Sequence, residues 1–480
     1  MAKAGRFSRG DTSSNGRFFT SAQSGGKRDP VPRVRAGSNL SIALRRFSRR
    51  CSALSSFWYC FESVACRFLE PRDERQGSNA RVDSPRGKDD LVIVGVPKES
   101  YPGERRVALV PAVIPILAKA GLEVGVEAGA GEPAGYPDSV YVEKGGKILP
   151  DRAAVFSAAD IIVQVLCYGS NDVTGKADLP LLRRGQVLIG FLRPFGSSEA
   201  TQQIAAAGVS SFSVELVPRT TRAQSMDALS SMGTICGYKA VLLAAETSIR
   251  IFPMMTTAAG TITPARVFVI GAGVAGLQAI STARRLGAVA SAYDMRPAAK
   301  EQVQSLGGRF VELPLEAQNA QDARGYGTVQ DEAFYARQRE LLTRVVAESD
   351  VVITAAVIPG KKSPVLITAD MVKGMGSGSV IVDLASERGG NCELTRTGET
   401  VRAHGVTIIG AINLASSVPY HASQMYARNV STFLAYIVKE GKLQLNLQDE
   451  IVRETMVTHG GEVVNPRVRE FFKLAALAQK

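Results

Sequence analysis

From Leu91 onward the apolar positions of this chain come in short consecutive runs rather than in alternation. Leu91–Gly95, Leu122–Val126, Ile161–Val165, Val187–Leu192 and Val209–Ser213 are such runs, each bounded by polar or glycine-containing segments. Consecutive apolar, β-branched residues mark strands buried on both faces, as in a parallel sheet. Helical stretches such as Ala112–Ala120 separate them, so strand and helix alternate. A long helix, Ser225–Thr247, leaves this unit. A second series then follows at Arg266–Ile270, Val289–Tyr293, Arg309–Glu312, Val351–Thr354, Ser379–Leu384 and Val406–Ile409. A last long helix, Gln424–Lys439, returns toward the first unit. The pattern predicts an α/β protein of two doubly wound parallel-sheet domains with a cleft between them. Residues 91–224, completed by the C-terminal helical region 422–480, form one, and residues 225–421 the other.

The strand Arg266–Ile270 runs into Gly271-Ala-Gly273-Val274-Ala-Gly276, and a helix is expected over Leu277–Leu286. In G-x-G-x-x-G the first glycine permits the tight turn, the second lets backbone approach a diphosphate, and the third lets helix and strand pack closely. The diphosphate then rests on free N–H groups at the helix start. The next strand ends at Asp294, where an acid can bond a ribose 2′-hydroxyl and repel the 2′-phosphate of NADP. Both domains therefore read as Rossmann-like, and the second as the seat of NAD(H). Gly271, Gly273, Val274, Gly276, Asp294 and Met295 are the candidate cofactor contacts. Arg296 joins them, since it can receive a phosphate, in competition with Asp294.

Composition narrows this reading. The 480 residues are 45% hydrophobic and 21% charged, ordinary for a globular protein. The formal charge of +12 suggests nucleic acid until it is located. Residues 1–50 hold 12 Lys/Arg and two acids, and residues 1–90 carry a net of +9, which leaves only +3 on the rest. No nucleic-acid partner is indicated for the body. The Arg- and Ser-rich leader reads as an organellar targeting segment, most simply mitochondrial with a plastid alternative, or as a disordered extension. Six cysteines without C-x-x-C spacing and three histidines indicate neither a disulfide framework nor a metal site. No apolar stretch free of charge and proline reaches the length of a transmembrane helix.

Two further segments attract attention. Pro218–Ser231 sets Arg219, Gln224, Asp227 and Ser230 at the start of the inter-domain helix. They read either as contacts to a ligand at the domain junction, with Arg219 and Asp227 presenting donors to a carboxamide, or as a plain capped helix start. Glu316–Phe334 is long, polar and glycine-hinged around Tyr326. It is either a functional flap or an ordinary surface loop.

Collinear stretches from Leu91 to about Gly461 resemble the NAD(H)-binding domain I, or alpha subunit, of proton-translocating nicotinamide nucleotide transhydrogenase. They are Gly95-Val-Pro-Lys-Glu99, Arg106-Val-Ala108, Arg222-Ala-Gln-Ser-Met-Asp-Ala-Leu-Ser-Ser231, Val269–Leu277, Arg296-Pro297, Glu301–Ser305, Ile358–Lys361, Val380–Ala385 and Gly389–Glu393. The resemblance implies that Arg219, Gln224, Asp227 and Ser230 line the nicotinamide site, with Gln224 reaching toward NADP(H) on a partner domain. It implies that Asp294 bonds the adenosine ribose and that Tyr326 sits on a mobile flap over the nucleotide. It further implies direct hydride transfer between two nicotinamides and a homodimeric assembly. Partners would be an NADP-binding domain and a proton-translocating membrane domain, on the matrix side of the mitochondrial inner membrane or the cytosolic face of another membrane. The run Ile412–Tyr420 departs from the family, which puts subunit contacts around that loop in question. Alanine dehydrogenase is similar in fold but places a Lys on the strand matching Ile161–Val165 and a His after the strand matching Val187–Leu192. Here those places read Val-Gln-Val-Leu and Phe-Leu-Arg-Pro. An NAD-dependent amino-acid oxidoreductase needs such acid–base groups, whereas hydride transfer between nicotinamides does not. A non-catalytic NAD-binding subunit is the other alternative.

Overall fold

The computed structural model describes residues 91–475, apart from 316–319, 321–327 and 359. The basic leader and Tyr326, with most of its loop, lie outside the described residues.

Two sheets organise the body. In the first, the parallel strands run in the order Lys147–Leu149, Leu122–Glu127, Val92–Val96, Ile161–Leu166, Val187–Phe191 and Ser210–Ser213. Numbered along the chain this is 3-2-1-4-5-6, the order of doubly wound nucleotide-binding sheets. The second sheet repeats it with Arg309–Phe310, Val289–Tyr293, Arg266–Ile270, Val351–Thr354, Val380–Asp383 and Val406–Gly410, and adds Thr400–Ala403 as an antiparallel edge. The central strands are closed to solvent on both faces, as in Val267 through Ile270 and Val351 through Thr354.

The C-terminal segment differs from the purely helical region expected. The helix Pro419–Ile437 crosses the first sheet, where Phe433 meets Phe212 edge-on at 5.4 Å and the Tyr426 hydroxyl donates to the Gln164 carbonyl at 2.7 Å. Beyond it, Met456–His459 and Glu462–Val463 add two antiparallel strands to the same sheet. Both are short and half polar, so no apolar run marks them. The hairpin Met255–Thr257 with Gly260–Ile262 also lacks a buried face, all six residues being exposed.

The long helix starts later than the pattern suggested. Gln224–Met226 is a single 3₁₀ turn, Asp227 caps, and the α-helix spans Ala228–Thr247. This helix is long and apolar enough to cross a membrane by composition. Here it lies between the helices Val274–Arg285 and Pro419–Ile437. A Cβ on Gly237 would fall on the Ala275 carbonyl oxygen, so only glycine allows this approach. That contact brings the start of the long helix beside the glycine turn.

Candidate functional site

The glycine turn sits at the switch point of the second sheet, where strands Arg266–Ile270 and Val351–Thr354 part toward opposite helical layers. Gly271 has φ +96°, and a Cβ there would stand 2.8 Å from the Ala355 carbonyl carbon. A Cβ on Gly276 would land on the Gly271 carbonyl oxygen, so the helix seats directly against the turn. Gly273 is different. A Cβ on it would meet nothing within 4 Å, and no side chain caps the helix Val274–Arg285 that follows. The first N–H groups of that helix are thus free of side-chain partners beside open space, which fits an anionic diphosphate. Val274 borders this space and faces Gly233 of the long helix, where a Cβ would stand 3.7 Å from Val274 Cγ1.

The opposite wall is rigid. Asn391 brackets Ala356, accepting its N–H at 3.1 Å and donating to its carbonyl and that of Pro364, both at 2.9 Å. Asp383, fully buried, accepts from the Thr354 hydroxyl and the Ala385, Asn391 and Cys392 amides. These groups lock the carboxyl ends of two neighbouring strands together.

Asp294 ends the second strand as expected, and its two oxygens are already engaged. Oδ2 accepts from the Ala272 N–H at 2.8 Å and Arg296 Nη2 at 2.9 Å. Oδ1 accepts from Arg296 N and Nε, both at 2.9 Å. The carboxylate therefore ties the glycine turn to the adjacent strand and holds the guanidinium side-on. Hydrogen bonding to Asp294 raises the Arg296 pKa above its ordinary value. A ribose hydroxyl can join Asp294 only as Arg296 turns aside, since a carboxylate offers about four acceptor positions. Met295, between the two, is half-buried.

Arg219 and Gln224 are exposed on the loop that precedes the long helix, while Asp227 and Ser230 are half-buried in its first turn. Asp227 Oδ1 accepts the Ser230 N–H at 2.8 Å and Oδ2 accepts the Ser230 hydroxyl at 2.6 Å. Asp227 is thus the helix cap that the sequence allowed. The cap leaves open the ligand contact weighed beside it, because the Ser230 oxygen still carries acceptor lone pairs.

Sequence reasoning missed the pin that joins the two lobes. Glu104 and Arg106 form a buried pair, Nη2 to Oε2 at 2.6 Å, and Asn413 of the second lobe bonds both partners at 2.9 and 3.0 Å. Ser416 adds a bond from the Arg105 amide and one to the Gly103 carbonyl. Asn413 adopts φ +42°, a left-handed conformation that asparagine tolerates. Tyr420 stacks on Tyr136 at 4.7 Å. The run Ile412–Tyr420, which departs from the family pattern, is therefore a junction between lobes. Burial would raise the Glu104 carboxyl, but Arg106 overcomes it and holds it below the usual carboxylate range. Glu99, at the switch point of the first sheet, behaves oppositely. Its carboxylate accepts the Val165 and Leu166 amides at 2.6 and 3.1 Å. The residue is half-buried as a whole, yet enclosure of the carboxyl, and then the charge of Glu104, push it up to about 8. Among the described residues no group of His, Cys, Asp or Glu is arranged to hold a metal ion.

This geometry coincides with a known family. Residues 95–236 match "Alanine dehydrogenase/PNT, N-terminal domain" and residues 240–466 match "Alanine dehydrogenase/PNT, C-terminal domain". The chain belongs to that family. Over 376 residues it is 44% identical to an NAD(P) transhydrogenase subunit alpha polypeptide of Rhodospirillum rubrum, covering 78% of this chain and 98% of the relative. A solved transhydrogenase from Sinorhizobium meliloti superposes with a TM-score of 0.67 at 43% identity, over 78% of this chain and 99% of that one. A solved L-alanine dehydrogenase superposes with a TM-score of 0.66 at 25% identity, over 80% of this chain and 99% of that one. Within the family the chain is thus a homologue of the NAD(P) transhydrogenase alpha subunit.

Proposed function

We propose that this chain is the NAD(H)-binding component of a proton-translocating transhydrogenase. The observation that carries the proposal is one juxtaposition. The uncapped helix start and open face at Gly273 lie beside the Gln224–Ser230 segment, pressed there by the Gly237–Ala275 contact. When bound, the dinucleotide supplies the chemistry: a hydride leaves C4 of the reduced nicotinamide for C4 of the oxidised one held on an NADP-binding partner domain. The chain's own residues bind and orient. The Gly271–Gly276 turn and Val274 hold the diphosphate, and Asp294 with Met295 takes the adenosine ribose while Arg296 swings clear. Arg219, Asp227 and Ser230 hold the carboxamide end, Gln224 faces the acceptor nucleotide, and Tyr326 closes over the site. No group in this assignment needs to gain or lose a proton; proton translocation would belong to a separate membrane domain.

Three further assignments accompany this reading. The lobes correspond to residues 91–224 with the C-terminal segment 422–480, and to 225–421. The chain acts as a homodimer, supported by the exposed hairpin arm and its apolar surroundings at Ile249, Met254 and Ile262, 77%, 65% and 47% exposed; sedimentation at the mass of a monomer would remove it. The leader directs the chain to the mitochondrial matrix face of the inner membrane, which a fluorescent fusion of residues 1–90 tests by its location.

Binding selectivity tests the cofactor assignment. Calorimetry should show NADH bound at least about tenfold tighter than NADPH, about 1.4 kcal/mol. Asp294→Asn, which removes the charge opposed to a 2′-phosphate and loosens Arg296, should shrink that ratio. Equal affinities in the parent chain would end the assignment.

A further inference from the structure

We propose that Asn429 is a positioning residue for hydride transfer, setting the turn that carries Gln224, with Arg222, Tyr436 and Asp449 holding that turn's other side. The proposal rests on the transhydrogenase reading above and assigns what fixes its central side chain.

The Gln224–Met226 turn has little support of its own. It is one turn of 3₁₀ helix with exposed Gln224 and Ser225, closed by single bonds such as Met226 N–H to the Ala223 carbonyl at 2.8 Å. So short a piece does not hold its shape alone. Asn429 supplies an anchor: its Nδ2 donates to the Ser225 carbonyl at 2.8 Å. Asn429 lies inside the helix Pro419–Ile437, is only 7% exposed, and its Oδ1 accepts no hydrogen bond within the chain. Asparagine is a poor helix former, and an unsatisfied buried acceptor costs about 1–3 kcal/mol. For stability alone an apolar side chain would serve better at this position. Its polar contact in the chain is the carbonyl next to Gln224.

The second anchor lies two residues before Gln224. Arg222 Nη2 is 3.1 Å from Asp449 Oδ2, and its guanidinium stands 5.9 Å over the Tyr436 ring. The Tyr436 hydroxyl donates to the same Asp449 oxygen at 2.6 Å. Asn429 and Tyr436 are seven residues apart, two turns along one face of one helix. That face therefore grips the turn at Arg222 and at Ser225, with Gln224 between the grips. Neither anchor touches the glycine turn or Asp294, so loosening them should leave the NADH seat intact and disturb the alignment of the two nicotinamides.

The test uses the full chain with an isolated NADP-binding domain of a transhydrogenase. Single-turnover hydride transfer, NADH dissociation constant and thermal midpoint are read for each variant. Asn429→Leu should keep or raise the thermal midpoint and hold the NADH dissociation constant within about threefold, while transfer slows by about tenfold or more. Tyr436→Phe and Arg222→Gln, on the solvent side of the grip, should slow transfer by smaller factors with the same unchanged NADH binding. Because Asn429 acts through Gln224, adding Asn429→Leu to Gln224→Asn should slow transfer no further. Parental transfer in folded Asn429→Leu overturns the proposal, and if that variant does not fold, parental transfer in both solvent-side variants overturns it. Slow Gln224→Asn with fast Asn429→Leu sinks only the positioning role. Parental transfer in Gln224→Asn sinks the reading of the site itself, and this proposal with it.

Discussion

Two glycines of one turn should respond in opposite ways to the same methyl group. At Gly273 the backbone has φ −77° and ψ −167°, open to any residue, and an added Cβ meets nothing within 4 Å. Gly273→Ala should therefore fold as well as the parent, and narrowing the unfolded ensemble should add about 0.4–1 kcal/mol of stability. The same methyl would project into the space where the diphosphate must approach. NADH affinity should fall about tenfold or more, about 1.4 kcal/mol. At Gly276 the Cβ collides with the Gly271 carbonyl oxygen and stands 3.3 Å from Val269 Cγ1. Backbone cannot rotate away as a side chain can, so Gly276→Ala should cost about 1–3 kcal/mol of stability. Urea denaturation with and without NADH separates the two effects. At NADH equal to 100 times the parental dissociation constant the parent gains about 2.7 kcal/mol, while Gly273→Ala, bound tenfold more weakly, gains about 1.4 kcal/mol. A stable Gly273→Ala chain that gains as much from NADH as the parent would refute the seat assigned to the diphosphate.

The pin between the lobes should be costly to break from one side. Arg106→Met leaves Glu104 buried without its cation and should destabilise by about 3–5 kcal/mol in urea denaturation, whereas Glu104→Gln with Arg106→Met should recover much of the loss; equal losses would deny the pairing its role. Glu99 should impose a slope on stability against pH. Its carboxyl holds a proton up to about pH 8 in the folded chain, against an ordinary value of 4.5. The folded state is then the better proton binder between those values, so this contribution is complete below about pH 4.5 and lost as pH rises toward about 8. Glu99→Gln should flatten the decline in stability between about pH 5 and 8, and parallel profiles for the two chains would contradict the enclosed carboxyl.

The sheet order was legible because the strands buried on both faces announce themselves as unbroken apolar runs. Val267–Ile270 and Val351–Thr354 are examples, and each is wholly buried. The glycine spacing likewise carried its geometry, since Gly271 and Gly276 are required by close backbone approach. Elements stabilised by long-range pairing were not legible. Met456–His459 joins the first sheet through Ser211 and Thr458, polar residues buried against each other, whose hydroxyls lie 2.7 Å apart. Polar residues with such partners read as loop until the partner is known. The lobe junction escaped for a related reason: Arg106 and Asn413 lie 307 positions apart and meet only in the fold. Asp294 shows the limit at a single residue. Its place after the second strand followed from spacing, but its engagement by Ala272 and Arg296 is a matter of side-chain geometry.

The claim that this chain hands a hydride to a second nucleotide is most directly tested with labelled cofactor. NADH carrying deuterium at the transferred C4 position, bound to the full chain, is mixed with an NADP-binding domain loaded with NADP⁺, and the NADPH formed is examined by mass spectrometry. Direct transfer predicts that the label appears in NADPH, and that a parallel reaction with unlabelled NADH in heavy water puts no solvent deuterium there. Label lost to water, or no NADPH at all while L-alanine and NAD⁺ are converted to pyruvate and NADH, would contradict the account.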